Sequence, residues 1–110
     1  MNDADRFFLT HIADEISVIE KLLPGLTIEK LMEDIVCKHC IQKAMEIIGE
    51  ASKRVSDETK ELCPEINWAK YRRLRNRLTH EYFSIDWDLI WDILQNDNSK
   101  LKKCVNKLLK

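Results

Sequence analysis

Three features of the sequence predict an all-α fold. Only two glycines and two prolines occur in 110 residues. No β-branched run alternates with polar residues, as a half-buried strand requires. Apolar residues instead recur at three- and four-residue spacing, the period of a single helix face. The expected architecture is an up-and-down helical bundle of about five to six helices with short connections. The length fits one domain spanning residues 1–110.

Residues 3–22 read as the first helix. Phe8, Ile12, Ile16 and Ile19 form its inward stripe, with Asp14, Glu15 and Glu20 on other faces, and Asp3 stands where a cap is needed. The stretch "LPGLT" then breaks it, through Pro24 and Gly25, and Thr27 is available to cap the second helix. That second helix is expected to be long, from Ile28 to Arg54, with Leu31, Ile35, Ala44, Ile47 and Ile48 as its apolar positions. Gly49 lies inside it, where glycine costs roughly 1 kcal/mol relative to alanine. A small residue kept at such a position predicts close packing against another helix. Ser56 starts a short helix or turn that Pro64 stops.

A fourth helix should run from Asn67 to His80 or Tyr82. A fifth starts at Asp86, which can cap "WDLIWDIL" with Trp87, Ile90, Trp91 and Leu94 buried. The final segment, "NSKLKKCVNKLLK", has Leu101, Val105 and Leu108 as its stripe. Its five lysines suit a helix C-terminus.

The totals restrict function. A formal charge of -1 argues against a general nucleic-acid coat protein, which needs a large basic excess. Any nucleic-acid contact must come from a local patch. No apolar run approaches the ~18 residues that span a bilayer, and the acidic start "MNDADRFF" lacks a signal-peptide pattern. A cytoplasmic protein without membrane contact is expected. Cys37 and Cys40 have CxxC spacing around His39, but a structural zinc site needs about four ligands and no second pair occurs. The four cysteines, Cys37, Cys40, Cys63 and Cys104, therefore read as buried thiols.

Charge is concentrated in one place. In "YRRLRNRLTHEYF", Tyr71 to Phe83, Arg72, Arg73, Arg75 and Arg77 fall together and His80 follows. Tyr71, Leu74 and Leu78 make the inward stripe. Asn76 and His80 are four apart and lie roughly 40° from one another, whereas Arg75 and His80 are roughly 140° apart. Two arrangements would bring the last two together. The long arginine can curl round the helix, or the helix can pack against its twin so that two copies build one cleft; the second is the expected one. Arg75 and Tyr82, seven apart, share a face on a continuous helix, and periodicity makes Tyr82 a half-buried packing residue.

These residue types suit RNA cleavage. A histidine can take and return protons near neutral pH, here from a ribose 2′-hydroxyl that then attacks the adjacent phosphorus. The planar fork of Arg75 can hold the phosphate as charge builds on it. Asn76 can orient His80 or a phosphate oxygen. Lys70, Arg72, Arg73 and Arg77 supply an attracting field. None of this requires a metal or another cofactor. The plainer reading is a solvated basic face paired with Glu81 and Asp86. His11 and His39 lack such company and read as structural or surface residues.

The segment "RNRLTHEY" resembles the Arg-x4-His-x-Tyr signature of HEPN-domain proteins, in particular the HepT-type toxins. The resemblance extends to "CIQKAMEIIGEASKRVSDETKELCPEINW" and to "HEYFSIDWDLIWDIL", so that nearly the whole chain is covered. It implies a homodimeric HEPN bundle whose two motifs face a common cleft, and metal-independent RNA cleavage by Arg75, His80 and Asn76. Transfer RNA is among the candidate substrates. It also implies a type VII toxin–antitoxin pairing with a minimal nucleotidyltransferase (an MntA-like antitoxin) that transfers AMP to Tyr82. The added charge and bulk would block the phosphate site. Arg73 departs from the pattern, since many members have a small residue there. The alternative is a catalytically silent HEPN module that binds nucleotide or regulates a partner nucleotidyltransferase.

Overall fold

The computed structural model describes the backbone of residues 1–110 and every side chain except that of Tyr82. Helix α1 spans Asp3–Leu22, α2 Ile28–Glu33, α3 Ile35–Arg54, α4 Asp57–Lys60, α5 Trp68–His80, α6 Trp87–Asp92 and α7 Asn98–Leu109. A 3-10 turn, Tyr82–Ser84, comes after α5, and a π-helical turn, Ile93–Asp97, joins α6 to α7. No strand occurs among the described residues. The all-α bundle expected from the periodicity is therefore the fold, centred on α3, which packs along both α1 and α5.

The core keeps the period-3.6 pattern with local changes of register. On α1 the buried row is Leu9, Ile12, Ile16 and Ile19; Phe8, expected inward, sits half-buried at its edge. Asn2 rather than Asp3 caps this helix, its Oδ1 accepting from the Asp5 amide at 2.7 Å. Asp3 stands instead in the first turn, where the helix dipole favours a carboxylate. Gly25 turns the chain at φ 73°, a left-handed value that glycine adopts without a steric penalty. Thr27 then caps α2 as predicted.

The long helix expected over residues 28–54 is two helices. Asp34 leaves helical geometry at φ −112°, ψ 96°, and its Oδ1 accepts from the Cys37 amide at 3.0 Å to cap α3. Aspartate competes with the helix through such bonds, which is why it ends one helix and starts another. The break resets the register. Cys37, Ile41, Met45 and Ile48 now face the core, and Ile35 is 64% exposed rather than an inward position. Trp87 and Trp91, expected to be buried, are half-buried on α6, while Ile90, Ile93 and Leu94 are inside. Among the cysteines, Cys37, Cys63 and Cys104 are buried and Cys40 half-buried.

A buried carboxylate fastens the start of α1 to the turn after α3. Asp5 is 2% exposed. It accepts from the Ser56 amide at 2.9 Å, the Ser56 hydroxyl at 2.5 Å and the Thr59 hydroxyl at 2.6 Å. Burial pushes its pKa upward, but these hydrogen bonds outweigh burial and hold it below the ordinary carboxylate value. A group depressed in this way stabilises the fold above its unfolded pKa of about 3.9, and that contribution fades as pH falls through the lower folded value. Asp5→Ala is expected to cost about 3 kcal/mol near neutral pH, since it strands several donors. The gap between variant and wild type in urea unfolding should narrow as pH falls through the folded pKa of Asp5. A gap independent of pH would contradict the ionised assignment.

Candidate nucleic-acid interface and active site

Helix α5 begins with Asn67 as cap, its Oδ1 accepting from the Lys70 amide at 3.1 Å. Tyr71, Leu74 and Leu78 are buried against the bundle. This anchoring fixes where the polar side chains point. Arg72, Asn76 and His80 form one exposed ridge at four-residue spacing, and Arg73 and Arg77 form the adjacent ridge. Among the described residues none of Arg72, Arg73 and Arg77 makes an ion pair. The surface pairs with Glu81 and Asp86 that a purely solvated face would use are not formed, and Asp86 instead caps α6 through the Leu89 amide at 3.1 Å. A row of cations without counter-charges creates a local field that attracts anions.

Lys70 stands apart from that row. Its ammonium meets Asp97 Oδ2 at 2.6 Å with both side chains largely covered, so its charge is already matched. It still lines, with Asn67, Arg73 and Arg77, a groove between α5 and α6 floored by Leu74 and Leu89.

Arg75 occupies the flank of α5 that faces α3. Its Nη2 lies 3.2 Å from Glu50 Oε2, and its Nη1 donates to Asn76 Oδ1 at 3.0 Å. The guanidinium thus curls from the α3 side towards the ridge that carries Asn76 and His80. Glu50 also accepts from Arg54 Nε at 2.9 Å. That hydrogen bond, opposed by burial and helped by the charge of Arg75, holds its carboxyl below the usual range.

The helix crossing is close because of Gly49. A Cβ at this position would collide with the Arg75 Cβ and sit 2.6 Å from the Tyr71 carbonyl oxygen. The small residue singled out in the sequence is therefore the contact point of α3 and α5, directly beneath Arg75. Glu50, the next residue, escapes sequence reasoning. An acid beside a mid-helix glycine is its only signal, and the partner on α5 is invisible without the crossing.

His80 ends α5 and is exposed. The chain leaves helical geometry at Glu81, φ −130°, ψ 36°. Helix α5 thus ends before Tyr82, whose side chain, expected to share a face with Arg75, lies outside the described residues. The other histidines are elsewhere: His11 packs edge-on against Phe7 at 4.6 Å, and His39 is exposed on α3. Among the described residues no group of three or more His, Cys, Asp or Glu side chains is placed to hold a metal ion, and no helix is long and apolar enough to cross a membrane.

Residues 12–108 match the family described as "Ribonuclease HepT-like". The chain is 34% identical over 110 residues to a Thermococcus cleftensis protein named "Probable ribonuclease HepT", covering 100% of both chains. It is 30% identical over 104 residues to a "Putative RNase" of Caldanaerobacter subterraneus, covering 94% of this chain and 93% of that one. A "Putative RNase" of Methanocaldococcus jannaschii is 31% identical over 96 residues, covering 87% of this chain and 88% of that one. No solved structure matches the chain. Helical bundle, arginine–histidine helix and full-length similarity agree: this chain belongs to the HepT-like ribonuclease family.

Proposed function

We propose that the protein is a cytoplasmic endoribonuclease toxin that cleaves RNA without a metal ion. The observation that carries this reading is the α5 surface, where His80 shares an exposed ridge with Asn76 beside three arginines that have no counter-charge among the described residues. His80 removes the proton from a ribose 2′-hydroxyl, and the oxygen attacks the neighbouring phosphorus. The bond from phosphorus to the 5′-oxygen breaks, and that oxygen takes a proton from water, leaving a 2′,3′-cyclic phosphate on one product and a 5′-hydroxyl on the other. Arg75 faces the charge that builds on the non-bridging oxygens. Arg72, Arg73 and Arg77 draw in and align the backbone, and Asn76 holds the guanidinium of Arg75.

Two copies related by a two-fold axis would double this surface around one cleft. In this reading a minimal nucleotidyltransferase antitoxin neutralises the toxin by transferring AMP from ATP to the Tyr82 hydroxyl, two residues beyond His80, with release of pyrophosphate. Family membership and the motif support these assignments.

The test is cleavage of a transfer-RNA mixture by the purified protein with EDTA present. Cutting that persists, leaving cyclic-phosphate ends, is the expected result. A folded, AMP-free protein that binds RNA and never cuts it would favour the silent regulatory module. In the presence of nucleotidyltransferase and ATP, Tyr82→Phe should remain active and gain no AMP mass. A mass gain persisting in that variant would move the modification elsewhere.

A further inference from the structure

Glu50 lies outside the Arg-x4-His-x-Tyr motif, and its surroundings are unusual for an ion-paired acid. It sits one residue beyond the glycine at which α3 and α5 touch. Its Oε2 is shielded from solvent and has no aligned hydrogen bond among the described residues, yet it lies 3.2 Å from Arg75 Nη2. Its Oε1 is held from behind by Arg54, one turn along the same helix. The carboxylate is thus met by an arginine at each oxygen, and the guanidinium of Arg75 also donates from Nη1 to Asn76 Oδ1. An arginine has five N–H donors in a rigid fork. With two of its nitrogens met by the protein, its Nε has no hydrogen-bond partner among the described residues.

We propose that Glu50 is the positioning residue for Arg75, gripping the guanidinium from α3 so that its free edge meets the scissile phosphate. This deepens the ribonuclease reading and rests on it. A flexible arginine would search many rotamers before meeting the phosphate; one already clamped between a carboxylate and an amide oxygen avoids that search. Glu50 acts through Arg75 and does not itself touch RNA.

The experiment uses the full-length protein and compares wild type with Glu50→Gln, Glu50→Asp and Arg75→Lys. Two readouts are taken: single-turnover cleavage at saturating transfer RNA, and the Nε–H NMR signal of Arg75, assigned by its loss in Arg75→Lys. In wild type that signal should be sharp and slow to exchange. In Glu50→Gln it should broaden, with cleavage falling about tenfold or more, as expected for misplacement of a catalytic group. RNA affinity should change less than about threefold, because the exposed arginines that dominate phosphate attraction are untouched. Glu50→Asp should recover part of the rate.

An unchanged Arg75 signal in Glu50→Gln would overturn the proposal. So would a rate loss that merely tracks a lowered melting temperature. Failure of wild type to cut RNA would remove the ribonuclease reading alone, and the NMR comparison would still decide whether Glu50 fixes Arg75.

Discussion

His80→Ala is expected to slow RNA cleavage by about 10²–10⁴-fold, the usual contribution of a positioned general base. Folding should be almost unaffected. His80 is exposed in the last turn of α5, and substitutions at such surface positions usually change stability by less than about 0.5 kcal/mol. Its melting temperature should therefore lie within about 3 °C of wild type. His11→Ala is the matched control: that ring packs on Phe7 of α1 and should leave the cleavage rate unchanged. RNA affinity should also survive in His80→Ala, since the exposed cations Arg72, Arg73 and Arg77 are untouched. Undiminished cutting by His80→Ala would remove the histidine from the mechanism. The basic ridge would then be a binding surface alone.

The residues behind that prediction are legible in the sequence, and so are most of the helices. Periodicity and turn chemistry locate α1, the cap at Thr27, the short helix after Ser56, and the starts of α5 and α6. Each is a local property, settled within one or two turns by spacing and by an Asn, Asp, Ser or Thr at the cap. The break at Asp34 is hidden because the apolar pattern continues on both sides of it, and a single side-chain bond to the Cys37 amide decides the outcome. Hydrophobicity alone places Ile35 and the two tryptophans of α6 inside, but burial depends on the face a helix turns to its neighbours.

The remaining surprises are long-range. Asp5 joins residues more than fifty positions away through Ser56 and Thr59. Nothing in "MNDADRFF" marks one of its acids as buried. The Arg75–Glu50 pair has the same character. The motif names the arginine, whereas its partner becomes visible only when α3 and α5 are crossed.

Gly49→Ala tests whether that crossing serves the site. Alanine is the better helix former, by roughly 1 kcal/mol, so an unconstrained position would be stabilised. Here the new methyl would collide with the Arg75 Cβ and meet the Tyr71 carbonyl oxygen at 2.6 Å. Neither atom is the far end of a flexible side chain, so α5 itself must move off α3. Overpacking of this kind costs roughly 1–3 kcal/mol, and with backbone in the contact the upper end applies. The expected net loss is about 2 kcal/mol, a fall in melting temperature of roughly 10 °C. Activity should fall further than stability explains. The displacement carries Arg75 away from Glu50, and a shift of about 1 Å at a catalytic group can cost 10²-fold in rate. Measured where wild type and variant are both fully folded, cleavage should drop by about that factor, with affinity for RNA held by the exposed arginines. A variant that melts higher than wild type and cuts normally would show that the helices approach less closely. The link from a single glycine to the placement of the arginine would then be lost.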